Sequence, residues 1–238
     1  MNKFKLSVLI VFNIVISQVA AFEISSIFSY SESSKDINVM GYELPLKSGG
    51  IGIQISNKYL EDKLEVKASY QQANSVSTEA AFNSNLYTGS ADIKTQRIAA
   101  SYELNSYQNI TPFISLGINQ YDGDISFTGA NTTGTAQMEV EQKNASIGLK
   151  YPLYENLMSS IEYGKSKWNL KSVADGTTGR LRTRTTVSAD NNEPFYAFNL
   201  TSQLSDKWIA KLKHSVYEMT ALNSVKTSET SLNIGYEF

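Results

Sequence analysis

Residues 146–165 read SIGLKYPLYENLMSSIEYGK, and they carry the clearest rhythm in the chain. Ala145, Ile147, Leu149 and Tyr151 alternate with Ser146, Gly148 and Lys150. After a polar link at Pro152 to Asn156 the alternation resumes, more weakly, from Leu157 to Tyr163. A period of two puts one set of side chains on each face of an extended strand, here an apolar face and a polar or small one.

The same pattern extends in both directions. Leu64, Val66, Ala68 and Tyr70 share a face, as do Ile98, Ala100, Tyr102 and Leu104. So do Tyr196, Phe198, Leu200 and Leu204, and at the end of the chain Leu232, Ile234, Tyr236 and Phe238. Weaker alternation marks Phe22 to Ser31, Gly49 to Ser56, Ile114 to Ile118 and Trp208 to Tyr217. Short polar links join these segments in pairs at Asn57 to Asp62, Asn105 to Ile110, Pro152 to Asn156 and Ser205 to Lys207. Between the pairs lie longer stretches rich in Ser, Thr, Asn, Asp and Gly, at Glu32 to Ser48, Ala73 to Ile93, Asp122 to Glu141, Ser172 to Glu193 and Glu218 to Ser228. The prolines respect this map: Pro112, Pro152 and Pro194 fall at strand ends and Pro45 in a long link, so none costs a central ladder bond.

Composition narrows the classes. The 238 residues include no cysteine, 18% charged residues and a formal net charge of -2. A disulfide framework, a cysteine zinc site and a polybasic nucleic-acid binder are excluded. Met1 to Ala21 reads as a cleaved signal peptide, with Lys3 and Lys5 before an apolar run from Leu6 to Ile16 and small residues at Val19-Ala20-Ala21. The mature domain is then residues 22–238, and no later stretch is apolar and long enough for a membrane helix. Strict alternation of short and long connections suits a transmembrane barrel, with short periplasmic turns and long extracellular loops. In lipid every backbone polar group must be paired internally, which closes the sheet. The expectation is an all-β, antiparallel up-and-down barrel of ten strands, with eight as the alternative, and both termini on the periplasmic side.

The hairpin from Ser146 to Lys165 resembles a unit of bacterial outer-membrane barrels of the opacity-protein and outer-membrane-protein-A type, in which a Gly-x-x-Tyr strand end meets a short turn. Gly49 to Tyr70 and Asn199 to Tyr217 are looser copies, and SLNIGYEF at Ser231 to Phe238 resembles the closing strand of those families. That resemblance implies an outer-membrane location in a Gram-negative cell. It also implies an assembly signal in Ile234, Tyr236 and Phe238, read by the barrel-assembly machinery.

Chemistry is sparse. His214, the sole histidine, falls on the apolar face and Ser215 on the other, so they do not form a nucleophile and base pair. The expectation is therefore no enzyme and no cofactor. Asp122-Gly123-Asp124 offers two carboxylates to a calcium ion but reads as a solvated turn. Arg180, Arg182 and Arg184 form a row suited to phosphates of lipopolysaccharide, or to plain solvent exposure in a long loop. Parity points Glu23, Glu65, Glu103, Glu162 and Glu237 inward together with Lys67, Lys150, Lys211 and Lys213. Inside a narrow barrel such charges should pair. Tyr102, Tyr151, Tyr154, Trp208, Tyr236 and Phe238 cluster near the short turns, where an aromatic girdle is expected. The partners implied are membrane lipid and lipopolysaccharide, with no nucleic acid and a monomer favoured. The role expected is a structural or surface-interaction barrel with a filled or very narrow lumen. A small porin-like channel is the alternative, and a lipid or peptide hydrolase a more distant one.

Overall fold

The computed structural model describes residues 25–39, 42–60, 62–75, 78–82, 85–129, 131–219 and 225–237. The proposed leader, Glu23 and Phe238 lie outside the described residues. The strands are β1 Ser25–Val39, β2 Tyr42–Tyr59, β3 Leu64–Ser75, β4 Thr78–Phe82, β5 Asn85–Glu103, β6 Thr111–Gly129, β7 Thr132–Tyr154, β8 Leu157–Thr178, β9 Leu181–Gln203, β10 Trp208–Met219 and β11 Val225–Glu237. They follow one another antiparallel in the order β3-β2-β1-β11-β10-β9-β8-β7-β6-β5, and β5 pairs back onto β3 to close the ring. β4 continues above β3 along the upper part of β5, from Thr78 opposite Gly89, so β3 and β4 make one interrupted stave. The barrel therefore has ten staves, as the alternation predicts. β11 lies between β10 and β1, so the chain's end seals the cylinder to its beginning.

The stretches read from sequence as long loops are mostly ladder. Asp122 to Glu141 is the upper part of β6 and β7, paired from Asp122–Glu139 up to Thr128–Thr133. Ser172 to Glu193 is likewise continuous β8–β9 pairing, closed at Gly179 and Arg180. The reason is local: these segments still alternate and are rich in Thr, whose branched side chain favours a pleated surface. Only their polarity differs from the strands below. Of the turns at the opposite end, Tyr107–Ile110 is a tight reversal with Gln108 and Asn109 at φ 48 and 65 and two backbone hydrogen bonds of 2.9 Å. Positive φ at both central positions gives the twist that a two-residue hairpin needs.

β7 shows what the height means. Its 23 residues span roughly 75 Å along the strand, far more than the apolar band of about 25 Å that a membrane barrel presents. Going up its outer face, Tyr151, Leu149 and Ile147 are exposed and apolar, and then Lys143, Glu141 and Glu139 are exposed and charged. On the inner face the order is reversed: Lys150, Ser146 and Gln142 come first, then Val140 and Met138. β8 repeats the exchange. Ile161 and Tyr163 give way outside to Lys165 and Lys167, while Glu162 and Ser166 give way inside to Trp168 and Leu170. On β6 the outer Ile114, Leu116 and Ile118 are followed by Gln120, Asp122 and Asp124, and the inner Tyr121, Ile125 and Phe127 lie above Asn119. Below the exchange the wall suits lipid outside and polar groups inside. Above it the wall has the ordinary polarity of a barrel in water. The exchange locates the membrane boundary on each of these strands.

Candidate functional site

The lumen is the natural place to look for function, and it is layered. Nearest the short turns lie the charges. Glu65 and Lys67 pair at 2.7 Å on β3. Lys150 on β7 reaches past β6 to an ion pair with Glu103 on β5, a contact between next-nearest staves that only the concave side of the wall permits. The Lys150 ammonium also sits 5.3 Å from the centre of the Phe113 ring. Ser146 donates a hydrogen bond to Glu162. Glu237 at the foot of β11 is half-exposed, and its field reaches Lys211.

Lys211 and Lys213 stand on β10, five staves from β5 in a ring of ten and hence on the opposite wall from Arg97. Among the described residues no carboxylate lies within ion-pair distance of Lys211, Lys213 or Arg97. Sequence parity singles out the two lysines but passes over Arg97, which follows the same alternation from Glu103, Ser101 and Ala99.

Above the charges the interior is tightly packed along β6 to β10. Gln142 is 0% exposed and forms a hub: Asn119 Nδ2 donates to its Oε1 at 2.7 Å and the Tyr121 hydroxyl at 3.0 Å, while its Nε2 donates to Ser166 Oγ at 2.9 Å. Ser166, Glu193 and Ser215 are equally sealed. Beside them Phe195, Ala197 and Tyr217 form an apolar cluster against which Trp168 packs. Tyr217 meets Phe195 ring to ring at 5.6 Å and the edge of Trp168 at 5.7 Å. Burial pushes the Tyr217 phenol up to about 12. Tyr121 is raised too, also by burial first.

Small residues make room for these rings. Phe195 lies opposite Gly164, and a Cβ built there would stand 2.7 Å from the Phe195 ring and 2.6 Å from the Ser146 Cβ. The ring of Phe113 covers Gly148 in the same way one tier lower. None of Gln142, Ser166, Trp168, Phe195 or Tyr217 is found by searching for apolar faces, because their strands run on above the lipid with polarity reversed. The signal that finds them is MEVEQKN at Met138 to Asn144, where Glu139, Glu141 and Lys143 alternate with Val140 and Gln142.

The remaining candidates are on the outside. His214 is exposed on β10, its Nδ1 2.8 Å from Thr230 Oγ1 across the β10–β11 ladder, while Ser215 faces the interior. Asp122 and Asp124 lie on the outer face of β6, opposite Glu139 and Asp92 respectively. Among the described residues no three metal-binding side chains are close enough to hold an ion. Arg180 sits in the turn at the β8–β9 tip, and Arg182 and Arg184 share a face of β9, with Arg184 Nε 3.8 Å from Asp175. Arg184 is 12 positions above Tyr196, the last exposed aromatic of its strand, which at a tilt near 40° is a rise of about 30 Å. Ile234 and Tyr236 face outward on β11, where the Tyr236 ring meets Trp208 at 5.2 Å and the ammonium of Lys207 at 5.7 Å.

No family model and no curated protein sequence matches the chain. Among solved structures, the translocator domain of the autotransporter NalP from Neisseria meningitidis superposes with a TM-score of 0.53 at 10% identity, over 95% of this chain and 93% of that one. The fold is that of a bacterial outer-membrane barrel. The outer-membrane protease OmpT from Escherichia coli matches at a TM-score of 0.48 and 9% identity, over 93% of this chain and all of the other, 100%. Ail, the attachment invasion locus protein of Yersinia pestis, matches at 0.37 and 11% identity, over 91% and 99%. The expectation that the chain is no enzyme is corrected: one of the solved barrels it matches is a protease, and neither an activity nor its absence is shown.

Proposed function

We propose that this chain is a rigid surface scaffold of the Gram-negative outer membrane, exported by its Met1–Ala21 leader and related to the opacity and outer-membrane-protein-A type of barrel. The observation that carries the reading is the packing of the interior along β7 to β10. Gln142, Ser166, Ser215 and Glu193 are inward-facing residues on four successive staves, and none exceeds 2% exposure. A barrel built to conduct has no use for a hydrogen-bonded amide hub beside an aromatic cluster. A barrel built to hold up a tall wall does, because the wall needs a core of its own where lipid no longer supports it.

Planar-bilayer recording of the refolded protein tests this reading. Silence is expected, with steady openings appearing once Tyr217→Ala and Trp168→Ala are combined. Steady openings of the unaltered protein overturn it. One observation favours the channel alternative: Arg97, Lys211 and Lys213 face one another across the bore without ion-pair partners among the described residues. A channel through them would select anions.

The lipid partners follow from the boundary. Lys165 and Lys167 rise directly above Tyr163, whose ring lies 5.1 Å from that of Tyr196. Lys143 faces Lys167 across the β7–β8 ladder. Lys143 is paired with Glu141 at 2.8 Å, whereas among the described residues Lys165 and Lys167 have no carboxylate within ion-pair distance, and like charges opposed across a ladder favour an anion nearby. We assign contact with the inner phosphates of lipopolysaccharide to these lysines. The arginine row stands too high for those phosphates and is left to partners above the membrane. The outward pair Ile234 and Tyr236, with Phe238, would serve the assembly machinery as the closing strand.

A further inference from the structure

The wall of the barrel is not equally tall all round. β9 is paired with β8 along nearly its whole length, from Leu181–Thr178 to Ser202–Leu157, without a register shift. On its other side it is paired with β10 only from Phe195 to Gln203. The ladder to β10 stops at the residue before Pro194 in the upward direction. Proline has no N–H to donate and so ends a pairing edge naturally. Above it β10 runs only to Met219. Among the described residues, nothing pairs with the backbone of Leu181 to Asp190 on that side.

This is a ready-made template. A strand held straight on one side presents a row of N–H and C=O groups on the other, and proteins usually blunt such edges with a bulge, a proline or lysines. Between Leu181 and Asp190 there is no bulge, no proline and no lysine. Thr183, Thr185, Thr186 and Val187 favour the extended state. Leu181 is 66% exposed and Val187 43%. Arg182 and Arg184 project from one face, and Arg184 has only a loose, exposed contact with Asp175.

We propose that the free edge of β9 from Leu181 to Asp190 binds an extended acidic peptide segment by strand addition. Backbone hydrogen bonds supply the affinity, and carboxylates at alternate positions meet Arg182 and Arg184. The proposal rests on the reading of the barrel as a surface scaffold, yet the two fail separately: a conducting barrel could still bind at this edge, and a silent one need not.

The test uses the full refolded barrel in detergent and two fluorescent ten-residue peptides, one alternating Thr with Glu and the other Thr with Lys. The Glu peptide should bind at least tenfold more tightly, and R182Q/R184Q should remove most of that preference. Hydrogen exchange should slow at alternate amides between Leu181 and Asp190. Neighbouring amides in a strand point to opposite edges, so of T185P and T186P one removes a donor from the free edge and the other a donor to β8. The free-edge variant should lose binding while keeping the heat-modifiable migration of a folded barrel. Equal binding of the two peptides overturns the proposal, as does binding with no slowed exchange on β9. A dimer that forms without peptide and is broken by the free-edge variant would overturn it in favour of a second copy.

Discussion

Gln142 serves three neighbours at once and touches no solvent. Q142L keeps the volume but leaves Asn119, Tyr121 and Ser166 with buried polar atoms to satisfy. It should cost about 3 kcal/mol, read as an earlier transition in the heat-modifiability of the refolded barrel. Gly164 is bound by space: G164V drives a side chain into Phe195 and the β7 backbone, and should destabilise more than the same change at Gly176, whose nearest neighbour is a Thr183 hydroxyl at 3.5 Å. Tyr217 links stability to pH. Its phenol ionises near 10 when unfolded and near 12 in the fold, so the folded state holds the proton longer. Stability from this group is whole below pH 10 and falls as pH rises from about 10 to about 12. Alkaline unfolding should therefore steepen in that window, and Y217F should flatten it. Of the groups that face the lumen, sequence parity singles out only charges, and among these it passes over Arg97. A lysine or glutamate opposite an apolar face is conspicuous, whereas Gln142 and Ser166 carry no charge and sit in strands whose apolar face has changed sides.

At the scale of elements, the strands within lipid could be read one by one, because alternation there has a single physical cause. The upper strands have the composition of loops but the period of strands. Ser, Thr and Asn signal a loop when they stand alone, but paired across Thr128–Thr133 or Thr178–Leu181 they make a ladder as well as any residue. Two consequences can be measured. Replacing residues 173–186 at the β8–β9 tip with Asn-Gly removes ladder that lies well above the lipid band, so insertion into the outer membrane should be unchanged while any ligand of the Arg182–Arg184 face is lost. At the boundary, K165Q/K167Q should weaken binding of purified lipopolysaccharide to the refolded barrel about tenfold, and R182Q/R184Q should not. The reverse order of effects would move the lipid contact up to the hairpin tip.

For the whole molecule, the deciding feature is the exchange of polarity along β6, β7 and β8. It divides one continuous cylinder into a lower part solvated by acyl chains and an upper part solvated by water, with charges enclosed below and rings and amides enclosed above. A nitroxide scan of residues 138–151 on β7, in bilayers, tests this most directly. From Ala145 to Tyr151 the odd positions should show high access to oxygen, which concentrates in lipid. From Lys143 upward the odd positions should instead show access to a water-soluble nickel chelate, and the even positions should be shielded from both throughout. A scan with no period of two, or with oxygen access running unbroken past Lys143, would contradict the account.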